Sequence, residues 1–135
     1  MGTDEIAFCS IIFNRSDAQL RQISAAYKHH HHHSLDHAIQ HEFSHLMQHS
    51  LLYVVEGALH PHLRDARLIN AAMEGMGTKD EKLTYRIIRA YWGGQHHLQG
   101  VKAAYQDKYQ HNLIKVVKGE TSGHFEKLLV AILEG

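Results

Sequence analysis

Two stretches decide how this chain folds: GTDEIAFCSII, beginning at Gly2, and GTKDEKLTYRII, beginning at Gly77. Both open on Gly-Thr, continue through acidic residues and close on Ile-Ile. Working outward, SAAYK (Ser24 to Lys28) returns as KAAYQ (Lys102 to Gln106), at a slightly longer spacing. SLDHAIQHEFSH (Ser34 to His45) aligns with NLIKVVKGETSG (Asn112 to Gly123), and VVEG (Val54 to Gly57) with ILEG (Ile132 to Gly135), both at that same longer spacing. The spacing lengthens only within YWGGQHHLQG, Tyr91 to Gly100, which carries three extra residues. A fixed period of this kind is the signature of a repeat architecture, each copy one supersecondary unit. The copies divide the chain into residues 1–74 and a shortened second repeat, 75–135.

Each copy reads as helices. Pro61 is the only proline, and no stretch keeps a strict period of two. Phe125, Leu128, Leu129, Ile132 and Leu133 fall at i, i+3, i+4, i+7 and i+8, which predicts one apolar helix face turned to a core. Ser16 with Gln19 three residues later is a capping box. Thr3 and Thr78 stand where an N-cap would open the first helix of each copy, Ser34 and Asn112 the third, Ser44 and Ser122 the fourth. A fifth helix, about 63–74, leads into the second copy, which ends before any equivalent. The fold class is all-α.

Composition limits the function. With 135 residues and 44% hydrophobic, the chain can build a core of its own. Lys+Arg and Asp+Glu number 14 each, so there is no built-in basic face for nucleic acid or an anionic membrane. Binding to such a surface needs localised charge, for example a held cation. The lone Cys9 excludes an internal disulfide and reads as a buried thiol in a reducing compartment. With no signal-peptide pattern and no apolar run of spanning length, a cytoplasmic protein is the expectation.

The chemistry points to calcium. In MEGMGT, Met73 to Thr78, Gly75 and Gly77 flank one residue just before a helix start. Glycines let a backbone turn sharply and aim several carbonyl oxygens at one point. Glu120, in KGETSG, lies far beyond Gly77 along the chain, at the turn between the third and fourth helices. Carbonyls plus one bidentate carboxylate, completed by water, form a hard-oxygen shell suited to Ca²⁺. In the first copy Gly2 and Glu42 stand in the matching places.

These motifs (MGTDE, IIFNRSDAQLRQISAAYK, MEGMGTKDE and KGETSG) resemble the annexin repeat, and the resemblance covers essentially the whole chain. It is most similar to the last two repeats of a four-repeat annexin of the fungal kind. The resemblance implies five short helices per repeat in a right-handed superhelix. It also implies Ca²⁺-dependent, reversible binding to acidic phospholipid membranes, with no enzymatic activity. By the same resemblance, Met73, Gly75 and Gly77 give main-chain oxygens in the second repeat, and Glu120 the bidentate carboxylate. In the first, Gly2 and Glu42 match, but two earlier carbonyl donors would precede the start of this sequence. His45 also replaces the glycine that Gly123 keeps, so the first site is expected to be weak or lost. Half of a four-repeat array leaves an apolar face to cover, which suggests a homodimer rebuilding four repeats.

Histidine supplies a competing reading. There are 15, five of them consecutive at His29 to His33, here read as a native loop with adventitious affinity for transition metals. His41-Glu42-Phe43-Ser44-His45 spells His-Glu-x-x-His, which on one helix would make a zinc-dependent hydrolase. Composition alone gives roughly 0.1 chance matches to that pattern. The repeat alignment puts a helix-to-helix turn near Phe43 and Ser44, which would break the geometry. It would also interrupt the ladder of histidines that recurs once per helical turn from His29 to His49. Tyr91 and Trp92 read as core anchors; Arg64, Arg67, Arg86 and Arg89 as solvated or paired charges.

Overall fold

The computed structural model describes residues 2–75 and 79–135, together nine α-helices and, among these residues, no strand. They are α1 (Thr3–Asn14), α2 (Asp17–His31), α3 (Leu35–Glu42), α4 (His45–Leu59), α5 (Pro61–Ala71), α6 (Asp80–Trp92), α7 (Gln95–Tyr109), α8 (Leu113–Glu120) and α9 (Gly123–Glu134). The chain is all-α with five helices followed by four, as the repeat requires. By contacts it forms two compact units, 1–61 and 62–135. The sequence copies divide at 74/75, so nearly all of α5, which ends the first copy, packs as part of the second unit.

In the first unit α4 is the central helix, packed against α1, α2 and α3. Its Leu51, Val55 and Ala58, at i, i+4 and i+7, are buried with Ile12 and Cys9 of α1, Leu20 of α2, and Leu35 and Ile39 of α3. Burying each of the larger side chains contributes about 2 kcal/mol. Cys9 is buried as expected, its thiol 3.8 Å from the Met47 sulfur. In the second unit α9 packs against α6 and α8, and α7 against α6 and α8. Leu83, Ile87 and Ala90 of α6 meet Leu98, Val101 and Tyr105 of α7, Val117 of α8, and Leu129 and Leu133 of α9. Ala66 and Ile69 bring α5 onto the same core.

Helix ends follow local chemistry. Ser16 accepts from the Gln19 amide at 3.2 Å while the Gln19 side chain accepts from the Ser16 amide at 3.0 Å, the reciprocal box. Ser34 and Asn112 cap α3 and α8 by accepting from the amides of His37 and Lys115, each at 3.1 Å. Ser44 and Ser122 occupy the N-cap positions of α4 and α9 without a side-chain cap bond. Pro61 opens α5, where its fixed φ suits a first helical residue and its missing N–H costs nothing. The αL residues also repeat: His32 and Gln110, at φ 62° and 60°, end α2 and α7 with amide bonds to Lys28 and Gln106. They occupy the same place in the two copies, as do His45 and Gly123, at φ 52° and 65°.

Several expectations change. Gly2, not Thr3, is the N-cap of α1, and its amide donates to Glu5 at 3.0 Å. Lys79 is the N-cap of α6, while Thr78 lies outside the described residues. The fifth helix is 61–71, shorter at its end than 63–74, because the chain tightens after Asn70 into i→i+3 bonds. Leu128 points to solvent, 53% exposed, while Leu129 and Leu133 carry the core face of α9. Tyr91 and Trp92 are 46% and 72% exposed and belong to neither buried core among the described residues. His29 to His31 extend α2, leaving only His32 and His33 of the run in the junction before α3.

Candidate functional site

The second repeat builds its loop on the end of α5. Met73 buries its side chain in the core of the unit, so the loop leaves from a fixed point. Past it, Gly75 is exposed at φ +86°, a backbone region that strains any residue with a Cβ. The Lys79 amide donates to the Ala72 carbonyl at 3.1 Å, closing the loop into a ring. Gly77 lies outside the described residues. Glu120 is the last residue of α8, exposed, followed by extended Thr121 and Ser122 and then Gly123 in the left-handed region. The Thr121 hydroxyl donates to the Val117 carbonyl at 2.6 Å and holds that corner. Exposed backbone carbonyls of this loop and the Glu120 carboxylate would offer oxygen donors, a chemistry that fits Ca²⁺ better than a nitrogen- or sulfur-seeking metal.

A polar network lies beneath the loop. Tyr105 of α7, only 2% exposed, donates its hydroxyl to Asn70 Oδ1 at 2.8 Å, and Asn70 Nδ2 donates to Glu74 Oε1 at 2.8 Å. Burial raises the Tyr105 phenol above its ordinary value, and Tyr109, Glu120 and Glu74 push it further in the same direction. By geometry, the Asn70–Glu74 bond ties the end of α5 to Tyr105, and α7 packs on α8. Tyr109 is raised as well, first by burial and then by Glu74, while Arg67 and a bond to Asn70 oppose the shift. No motif in the sequence marks Tyr105 or Asn70. The only signal is the tyrosine shared by SAAYK and KAAYQ.

In the first repeat the α3–α4 corner repeats the same backbone. Glu42 ends α3, exposed; Phe43 and Ser44 are extended; His45 sits at φ 52°. Here the Gln48 side chain staples the corner, donating to the Phe43 carbonyl at 2.7 Å and the Gln40 carbonyl at 3.1 Å. Gly2 is exposed at the start of α1. Glu42 thus stands where Glu120 stands, with a histidine in place of the permissive glycine.

The turn at Phe43 and Ser44 separates His41, in the last turn of α3, from His45, the first residue of α4. Two imidazoles on one helix face are therefore not formed. Among the described residues no group of three or more His, Cys, Asp or Glu side chains could hold a metal ion. The zinc-hydrolase alternative has no support. The histidine ladder is broken in its backbone, as the turn requires, yet rings still touch across the α2–α3 junction. Tyr27 stacks on His31 at 4.3 Å, His33 lies 5.1 Å from His37, and His37 lies 4.7 Å from His41.

A second cluster escaped sequence reasoning because its members are distant along the chain. Asp65 of α5 is buried and accepts from Arg64 Nε at 2.9 Å, and its other oxygen lies 2.6 Å from His97 Nε2. His62 packs its ring 5.1 Å from His97 and 5.9 Å from His96. Both rings lie against glycines: a Cβ on Gly93 would meet the His97 ring, and one on Gly100 the His62 ring.

Comparison with known proteins agrees with this architecture. The sequence pattern of the Annexin family matches residues 1–54 and 64–132. Annexin C1 of Cryptococcus neoformans var. grubii is 41% identical over 99% of this chain and 29% of its own length. Annexin A7 of Dictyostelium discoideum is 36% identical over 98% of this chain and 28% of that protein. Among solved structures, apo-annexin (Sm)1 superposes with a TM-score of 0.86 at 28% identity, covering all of this chain and 37% of its own. Chicken annexin V does so with 0.80 at 30% identity, over 99% of this chain and 40% of its own. Annexin (Sm)1 has also been solved calcium-bound; that structure matches with 0.82 at 28% identity, over 93% of this chain and 35% of its own. The chain spans roughly a third of the length of these relatives.

Proposed function

The chain belongs to the annexin family, and from that premise we propose that it binds acidic phospholipid membranes reversibly when calcium is present. Calcium is held by main-chain oxygens of Met73, Gly75 and Gly77 and by the Glu120 carboxylate. Its open positions accept phosphoryl or carboxylate oxygens of the lipid, so the cation joins two surfaces that would otherwise repel. The observation that supports this most is the second-repeat corner. Gly75 lies in the left-handed region on an exposed loop anchored by Met73, and Glu120 stands exposed at the end of α8. The neutral composition adds weight, because an uncharged chain needs a cation to meet an anionic surface. A calcium-bound annexin (Sm)1 among the structural relatives points the same way.

The protein's own residues hold and aim oxygens, and no covalent step is required, so the activity is binding and not catalysis. The Gly2–Glu42 site is the weaker of the two. On this reading the protein is cytoplasmic and meets the membrane peripherally. No helix among the described residues is long and apolar enough to cross a membrane. It does not bind nucleic acid, and it pairs into a homodimer that rebuilds four repeats.

The test is sedimentation with phosphatidylserine vesicles, with Ca²⁺ and with chelator. Wild type should pellet only with calcium, Glu120→Ala should stay in the supernatant, and Glu42→Ala should pellet nearly as wild type does. Equal pelleting of wild type in calcium and in chelator would refute the proposal.

A further inference from the structure

We propose that the Tyr105–Asn70 hydrogen bond is the positioning device of the second-repeat calcium loop. The inference rests on the calcium function proposed above and adds two residues to it.

Asn70 is where α5 tightens before the loop. Its main-chain oxygen accepts from the Met73 amide at 2.9 Å, and its side-chain amide donates to Glu74 at 2.8 Å. Asn70 therefore grips both Met73, a carbonyl donor to calcium, and the residue after it. What fixes the Asn70 carboxamide is its other end, which accepts from the Tyr105 hydroxyl at 2.8 Å. A carboxamide held at both ends cannot flip without losing both bonds.

Tyr105 is suited to hold it. It is nearly fully buried in α7, and α7 packs directly on α8, the helix that carries Glu120 at its end. A rigid hydroxyl thus ties the carbonyl side of the site to the element that presents the carboxylate. Without it, Asn70 and Glu74 would regain rotamers, and calcium would have to order the start of the loop on binding, at a cost in affinity. Tyr105 and Asn70 need not touch the ion. They act as outer partners that orient ligands, and loss of such partners typically weakens metal binding about 10–100-fold. In the first repeat the equivalent tyrosine, Tyr27, stacks on His31 instead.

The experiment uses the whole chain and calcium itself, with phosphatidylserine vesicles as reporter. Tyr105→Phe and Asn70→Ala are compared with wild type and Glu120→Ala, reading the calcium concentration at half-maximal pelleting and the plateau separately. Both positioning variants should need about tenfold more calcium yet reach the wild-type plateau. Calcium should also perturb the near-ultraviolet tyrosine spectrum of wild type, since ordering the start of the loop acts on the Asn70 carboxamide that accepts from the Tyr105 hydroxyl, and Tyr105→Phe should lack that change. Asn70→Ala supplies the same test should Tyr105→Phe fold poorly. If wild type and Glu120→Ala behave as proposed but both variants keep the wild-type midpoint, the positioning role is wrong and the calcium site stands. Loss of plateau together with midpoint in both variants would make their role structural, and likewise overturn it. A wild type indifferent to calcium would remove the calcium site and this inference together.

Discussion

His45 and Gly123 occupy one position in two copies, both left-handed, and only one has a side chain that resists it. For an L-residue the left-handed region costs roughly 1–2 kcal/mol. His45→Gly should therefore stabilise the first unit by about 0.5–1 kcal/mol, the released strain less the entropy that a glycine adds to the unfolded chain. Gly123→Ala should destabilise the second unit by about 1 kcal/mol. Urea unfolding of the two variants checks both signs, and a destabilised His45→Gly would mean that the imidazole is held by something worth more than the strain. This difference was legible in the sequence as a histidine where the pattern keeps glycine. The left-handed angle itself became visible only in the structure. Trp92 and Tyr91 were not legible, because periodicity reports which residues are apolar and not which neighbour covers them.

At the scale of elements, α5 carries the most that the sequence concealed. It is joined to α7 by Asp65–His97 near its start and Asn70–Tyr105 near its end, contacts between residues far apart along the chain. No spacing rule reaches that far, whereas caps such as Ser16–Gln19 lie within one turn and were read directly. The start of α5 should also respond to acid. Burial lowers the His62 imidazole below its ordinary 6.5, with His97 and His96 on α7 adding to the shift and Asp65 opposing it. Arg64 is the other charge beside Asp65. The sign follows from proton binding. Above pH 6.5 His62 is neutral in both folded and unfolded states, so it costs nothing. Below 6.5 the unfolded chain binds the proton more readily, so stability falls as pH drops through the lowered folded value. His62→Gln should flatten that part of the profile. Thermal midpoints between pH 7.5 and 5 would show it, and an identical slope in the variant would assign the acid sensitivity to another group.

On the scale of the whole molecule, two helix sets with corresponding third- and fourth-helix caps and matching αL residues follow from one repeated sequence, and this was the most legible feature of all. What the repeat does not specify is what covers its outer apolar residues. Ile6 and Phe13 on α1, and Tyr85 and Trp92 on α6, are 55%, 45%, 55% and 72% exposed in this chain, and the relatives are about three times its length. A homodimer would bury such surface. Sedimentation equilibrium at tens of micromolar should give twice the 15.4 kDa chain mass, weakened by Trp92→Ser; a monomer throughout that range would contradict it.

The proposed function has calcium, held through Glu120, joining this annexin chain to an acidic bilayer. Its most direct test is co-sedimentation of wild type and Glu120→Ala with phosphatidylserine vesicles across a calcium titration. The predicted result is a calcium-dependent rise in pelleted wild type that Glu120→Ala lacks. Pelleting that ignores calcium, or that survives intact in Glu120→Ala, would contradict it.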